Sequence, residues 1–154
     1  MTLIADTGAI YACYDRADAH HVAAAAFMRA FDGRPQVPAL VLAELDHLVG
    51  ARLGEGARAT VIADVLDVMD VVPFDSDVAS RAAEVAGLYG DFPLGLTDAS
   101  LVVHAHDLRT VDLFTVDQRH FRAVAPRWGA DAFRLLPFDG DDPPEAPGRP
   151  PQRM

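Results

Sequence analysis

The sequence predicts a three-layer α/β/α domain built on a five-stranded parallel sheet. Short apolar segments alternate along the chain with longer segments whose apolar residues recur every three or four positions, a pattern typical of strands connected by helices. The first apolar segment, residues 3–5, stops at Asp6 and is followed by the small turn residue Gly8. A carboxylate at the carboxyl end of a central parallel strand faces the crevice where such sheets bind ligands.

The individual elements follow from this alternation in chain order. The predicted strands are residues 3–5, 36–38, 71–74, 111–116 and 133–138. The predicted helices are residues 9–14, 19–30, 39–53, 57–69, 76–88 and 97–106. Asp18, Ser76 and Thr97 are the expected N-caps, because a short polar side chain can accept the free backbone N–H groups of a first helical turn. Gly54 and Gly56 mark the break between the third and fourth helices.

The chain is long enough for one domain with a sizeable core, which we place at residues 1–138. Residues 139–154 differ in composition, since Asp-Gly-Asp-Asp is followed by five prolines among the last twelve residues. Such a segment cannot bury an apolar core and is predicted to be a disordered acidic tail.

Composition and charge restrict the class of protein. No apolar run is long enough to span a bilayer, and no basic residue precedes the first one, so neither a membrane span nor a signal peptide is expected. Cys13 is the only cysteine, which favours a cytoplasmic protein without disulfides. The net charge of −10 includes no lysine and disfavours binding of nucleic acid, unless metal ions neutralise a pocket of carboxylates. The same charge favours a basic partner protein.

Four acidic residues occupy positions that helix capping does not explain jointly. Asp6 and Asp117 each follow a predicted strand, whereas Glu44 and Asp98 lie on the predicted core-facing sides of two helices. Each residue alone has an ordinary explanation. Asp6 can serve as an N-cap, Glu44 can pair with an arginine, and Asp98 is favoured by the dipole of the helix that it begins.

Four converging carboxylates would repel one another unless a cation held them. The sequence favours Mg²⁺ or Mn²⁺ over Zn²⁺, because neither a cysteine nor a suitably spaced pair of histidines accompanies the acids. We interpret four histidines as structural or facing solvent: His20, His21, His104 and His106.

Four segments of the chain resemble the PIN-domain family of metal-dependent ribonucleases, and especially the VapC-type toxins of bacterial toxin–antitoxin pairs. The segments are residues 4–9 around Asp6, the helix position Glu44, residues 94–100 around Asp98, and residues 114–121 around Asp117. The resemblance covers about residues 1–138. It implies that these four acids form the catalytic metal site, with Thr7 and Thr115 as supporting polar residues.

The resemblance also implies an activity, a cofactor and partners. One or two Mg²⁺ or Mn²⁺ ions per site would activate a water for in-line attack on an RNA phosphodiester, leaving a 5′-phosphate and a 3′-hydroxyl. A homodimer is implied, as is a small VapB-like antitoxin whose C-terminal segment places an arginine near the acids. Five arginines are candidate phosphate ligands, Arg119 and Arg122 first, and then Arg16, Arg52 and Arg58.

Other interpretations of the first acidic segment remain open. A phosphatase of the haloacid-dehalogenase type needs a second Asp two residues after the first, where this chain has Gly8, and it also needs a lysine. A phospho-acceptor receiver domain likewise requires a lysine, which the chain lacks. A PIN-like binding module without catalytic activity would explain the fold but would not require all four acids.

Overall fold

A computed structural model describes residues 1–140, which form a five-stranded sheet between layers of helices. The five strands are β1 (Ile4–Ala5), β2 (Gln36–Pro38), β3 (Asp70–Val72), β4 (Asp112–Phe114) and β5 (Arg134–Leu136). The seven helices within these residues are α1 (Thr7–Tyr14), α2 (His21–Ala30), α3 (Ala39–Leu53), α4 (Glu55–Val68), α5 (Ser76–Leu88), α6 (Leu96–Asp107) and α7 (Gln118–Ala123). The predicted α/β/α class with a five-stranded parallel sheet is confirmed.

The order of the strands places the first one at the centre of the sheet. The order is β3-β2-β1-β4-β5, and all four pairings are parallel. The chain therefore builds outward from β1 through β2 and β3, and then returns to the other side of β1 for β4 and β5. In sheets of this kind the crevice at the carboxyl ends of the strands, where the order reverses, is the usual ligand site.

Burial explains why the central strands form and stay in register. Ile4 and Ala5 are fully buried, as are Leu113 and Phe114 on the neighbouring strand. Ile4 pairs with Leu113, and Ala5 pairs with Phe114. Strands buried on both faces consist of continuous apolar residues, and the sequence shows this in its short apolar segments.

At three helices the residue in the N-cap position differs from the predicted one. Asp75, not Ser76, caps α5, and its carboxylate accepts from the backbone N–H of Val78. Gly95 precedes α6 in place of Thr97, and His20 precedes α2 in place of Asp18. Gly95 and His20 make no side-chain hydrogen bond to their helices, so α6 and α2 begin within two residues of the predicted positions without the side-chain caps that were expected.

Helix α7 was not predicted, because six residues carry too little periodicity to be recognised as a helix. One tertiary contact and one local N-cap hold it in place. Phe121 is almost fully buried and lies edge-to-face against Phe133, with 6.3 Å between the ring centroids. Asp117 caps its first turn by accepting from the backbone N–H of His120. This short helix also supplies side chains to the cleft described below.

The end of the described chain packs against the domain. The carboxylate of Asp139 accepts from the backbone N–H of Leu135 at 2.6 Å and pairs with Arg122. Ordered contacts therefore extend to Asp139, where the predicted tail begins, and the remainder of that prediction, residues 141–154, lies outside the described residues. Within residues 1–140, no helix combines the length and apolar character needed to cross a membrane.

Candidate metal centre

A cleft of about 550 Å³ lies at the carboxyl ends of β1 and β4. All four predicted acids line it, contributed by four separate parts of the chain: Asp6, Glu44, Asp98 and Asp117. A fifth acid, Asp18, also lines the cleft, whereas the cationic side chains among its lining residues are Arg52 and, when protonated, His120. The site is therefore strongly acidic.

Asp6 is held at the floor of the cleft by hydrogen bonds to both of its carboxylate oxygens. The backbone N–H of Thr7 donates to Oδ1 at 2.8 Å, and the hydroxyl of Thr115 donates to Oδ2 at 2.9 Å. The β1–β4 register explains the second bond, because Thr115 follows the paired residue Phe114 just as Asp6 follows Ala5. Asp6 is thus an N-cap and a cleft residue at once, so the two interpretations of its position are compatible.

Glu44 reaches the cleft from α3, but it does not face the core as the sequence pattern indicated. The residues that α3 buries are Val41, Leu45 and Val49, so the apolar stripe runs beside Glu44 and leaves its side chain exposed. Leu48 and Arg52 lie on the same side of α3 as Glu44 and line the cleft together with it. Because Glu44 is exposed, its carboxylate needs no buried partner. One face of α3 therefore lies along the cleft.

Asp98 and Asp117 approach each other across His120. The Nδ1 atom of His120 lies 2.6 Å from Oδ2 of Asp117 and 3.2 Å from Oδ2 of Asp98. One ligand atom from each of these three side chains lies within 4.8 Å of the other two, a spacing that could hold a metal ion. His120 was not recognised from the sequence, although its position three residues after Asp117 places it one helical turn further along α7.

The carboxylates in the cleft disfavour the ionised form of Asp6 and Asp98. Burial raises the pKa of Asp6 to about 7, and the neighbouring charges of Asp98 and Glu44 raise it too, against the hydrogen bonds from Thr115 and Thr7. Burial also raises the pKa of Asp98, helped by the charges of Asp117 and Glu44 and opposed by His120. These shifts are those expected of acids that converge without a cation between them.

Two threonines carry further polar groups next to Asp6, and of these Thr7 lines the cleft. The hydroxyl oxygen of Thr115 also accepts from the backbone N–H of Asp117, so one threonine fixes two of the acids. The buried hydroxyl oxygen of Thr7 has no hydrogen-bond partner within residues 1–140. Gly8 is needed here, because a Cβ atom at this position would lie 2.9 Å from Cγ2 of Val116 in the segment that carries Asp117.

The residues of the cleft fit a hard divalent cation. Carboxylate oxygens from four chain segments, with a threonine hydroxyl lacking a partner beside them, are ligands of the type that Mg²⁺ and Mn²⁺ prefer. A cation there would remove the mutual repulsion that raises the pKa values of Asp6 and Asp98. The nitrogen of His120 adds one softer donor to this set.

The two arginines predicted to bind RNA differ in their surroundings. Arg119 is exposed, and its guanidinium lies 6.0 Å from the centroid of the Phe92 ring. Arg122 pairs with Asp139 and donates to the side-chain oxygen of Gln118. Its role in binding phosphate stays a prediction.

Comparison with known proteins identifies the family. Residues 3–126 match the PIN domain. The chain belongs to the PIN-domain family. A PIN-domain relative, the ribonuclease VapC26 of Mycobacterium tuberculosis, is 32% identical over 136 residues, which is 88% of this chain and the whole of that protein. The resemblance seen in the four acidic segments is therefore confirmed, and the phosphatase and receiver alternatives are not favoured.

Solved structures support the PIN fold. VapC20 of Mycobacterium tuberculosis, described as a toxin that cleaves the sarcin–ricin loop, superposes with a TM-score of 0.71 at 19% identity and covers 76% of this chain and 91% of its own. A chain of a toxin–antitoxin complex from Klebsiella pneumoniae superposes with a TM-score of 0.60 at 19% identity and covers 84% of this chain and all of its own. At these identities the likeness concerns the fold.

Proposed function

We propose that this PIN-domain protein is the ribonuclease toxin of a toxin–antitoxin pair, and that Asp6, Glu44, Asp98 and Asp117 bind its catalytic Mg²⁺ or Mn²⁺. The observation that carries the proposal is the convergence of these four acids in one cleft of a PIN domain. The relatives named as a ribonuclease and as toxins point to the same substrate and role.

Each part of the site has a task in this reaction. When bound, the divalent ion supplies an activated water and stabilises the negative charge on the leaving oxygen of an RNA phosphodiester. Thr115 orients Asp6 and the backbone of Asp117, and His120 holds Asp98 and Asp117 at one spacing. Glu44 faces them from α3 across the cleft. No protein nucleophile is needed, and no serine or cysteine is among the described residues that line the cleft.

The partner is a small basic antitoxin. The chain carries a net charge of −10, and its cleft is strongly acidic, so a basic segment is attracted to it. An arginine of that segment can pair bidentately with carboxylates of the cleft and exclude the metal. Apolar residues of the same segment are expected to dock on α1 and α3. The homodimer that the resemblance implies and the cytoplasmic location stay predictions.

The experiment that tests this function compares cells that express the chain alone with cells that also express the gene adjacent to it. Sequencing of RNA 5′-phosphate ends after induction should show new ends in the first culture and a strong reduction of them in the second. A basic partner of under ~100 residues, a single-domain size, should co-purify with the tagged chain from the second culture.

The outcomes separate the parts of the proposal. Absence of new 5′-phosphate ends in cells that contain the folded chain would contradict the ribonuclease function. New ends that persist unchanged with the adjacent gene, without a co-purified partner, would contradict the toxin–antitoxin assignment and leave the nuclease in place.

A further inference from the structure

Two exposed arginines, each over an aromatic ring, lie beside the acidic cleft. The guanidinium carbon of Arg52 is 5.4 Å from the centroid of the Tyr11 ring, and that of Arg119 is 6.0 Å from the centroid of the Phe92 ring. Both distances are in the range of cation–π contacts. Arg52 lines the cleft itself, and Arg119 adjoins His120, which also lines it.

The topology places these arginines on opposite sides of the acids. Arg52 is on α3, which follows β2, and Arg119 is on α7, which follows β4. Since β1 lies between β2 and β4, Asp6 at its carboxyl end lies between the two helices. Arg52 is two helical turns after Glu44 on the same face of α3, a separation of about 12 Å along the helix axis.

Neither arginine forms a close ion pair in the described residues, although the charge of Arg52 helps to lower the pKa of nearby Asp15. Within residues 1–140, no carboxylate lies within ion-pair distance of Arg52 or Arg119, whereas Arg58 and Arg81 are each paired with two acids. The aromatic ring under each guanidinium restricts its motion and leaves planar N–H donors at its edge. Such a group is suited to bind a phosphate through two parallel hydrogen bonds.

We propose that a single RNA strand crosses the cleft from Arg52 to Arg119, with the cleaved phosphate at the acids and one flanking phosphate on each arginine. The proposal rests on the ribonuclease function and names the path of its substrate. Arg52 lies two helical turns beyond Glu44, and in the proposed path it binds the phosphate next to the cleaved one. A flexible single strand can bring successive phosphates into a cleft, unlike a rigid duplex.

The salt dependence of RNA binding measures the contribution of each arginine separately. A fluorescein-labelled single-stranded RNA of mixed sequence is titrated in EDTA, which prevents metal-dependent cleavage, across a series of KCl concentrations. For single strands the slope of log K against log [salt] is about −0.7 for each phosphate that the protein neutralises. The loss of one phosphate contact therefore reduces the magnitude of the slope by about 0.7. Arg52→Ala and Arg119→Ala should each reduce the slope by about 0.7, and the double variant by about 1.4.

Matched variants control for charge and for folding. Arg29→Ala removes an exposed arginine of α2 that does not line the cleft, and it should leave the slope of the wild type unchanged. Arg52→Lys should retain the slope, because a lysine also neutralises one phosphate. A slope for Arg52→Ala or Arg119→Ala equal to that of Arg29→Ala, at an unchanged melting temperature, would overturn the proposed path.

The ribonuclease function is assayed separately on the same RNA with Mg²⁺ in place of EDTA. If the wild type cleaves the RNA but Arg52→Ala and Arg119→Ala show the wild-type slope, only the proposed strand path is overturned. If the two variants show reduced slopes but the wild type does not cleave the RNA, the strand path is supported and the ribonuclease function is contradicted.

Discussion

Asp98→Asn should lower the rate of Mg²⁺-dependent RNA cleavage by at least ~100-fold while leaving the fold intact. Removal of a group that merely orients a metal ligand costs about 10–100-fold, so removal of a ligand charge should cost at least as much. The substitution keeps the shape of the side chain, which is 21% exposed, and removes the charge that lies against His120. Cleavage of a labelled RNA and the melting temperature, measured on the same preparation, check both parts.

Asp91→Asn is the matched control for this substitution. Asp91 is an exposed acid of the loop before α6, and it does not line the cleft. Its amide variant removes the same charge from the chain and should cleave RNA at the wild-type rate. If Asp98→Asn retains full activity, Asp98 does not belong to the catalytic metal site.

Asp6→Asn should stabilise the metal-free protein at neutral and alkaline pH, although it abolishes cleavage. The folded state raises the pKa of Asp6 from 3.8 to about 7, because burial and the neighbouring acids disfavour the charge. Between these two values the unfolded chain releases the proton that the folded chain keeps. The contribution of Asp6 to the free energy of unfolding is therefore fully present below about pH 4 and is lost as the pH rises through about 7.

The expected size of this effect follows from the pKa shift. A shift of about three units corresponds to a few kcal/mol, so Asp6→Asn should melt roughly 5 °C or more above the wild type in EDTA at pH 8. The difference should shrink toward pH 4, where the wild-type carboxyl is protonated in both states. Thermal unfolding between pH 4 and pH 8 measures it, with Asp91→Asn as the control.

Added Mg²⁺ should reverse the order of stability at pH 8. The ion binds the folded wild type and raises its melting temperature, whereas Asp6→Asn lacks a ligand charge and should respond much less. A wild type that is more stable than Asp6→Asn in EDTA at pH 8 would contradict the mutual repulsion of the acids.

The sequence predicted the parts of the fold that depend on local pattern. Residues 4–9 combine a buried strand, a capping acid and a glycine that the packing of Val116 requires, so each of these residues carries an interpretable signal. The five strands were recognised from their short apolar runs. The positions of the four acids at strand ends and on helix faces predicted that they converge, and the resemblance to PIN domains implied that they form the catalytic metal site.

The features that the sequence did not predict depend on tertiary contacts. The buried residues of α3 are Val41, Leu45 and Val49, and Glu44 is exposed beside them, which only the packing of α3 against its neighbours decides. The role of His120 depends on α7, a helix held by the burial of Phe121. The position of Arg52 over the Tyr11 ring beside the cleft likewise depends on how α1 and α3 pack together.

Anomalous diffraction from a crystal soaked in Mn²⁺ would show directly whether the four acids bind a divalent cation. We expect a strong anomalous peak in the cleft, within about 2.5 Å of carboxylate oxygens of Asp6 and Asp98 or of Asp98 and Asp117. A crystal of Asp98→Asn soaked in the same way should show the peak greatly weakened. A wild-type cleft without a peak, in a protein that cleaves RNA in the same Mn²⁺ buffer, would contradict metal binding by the four acids.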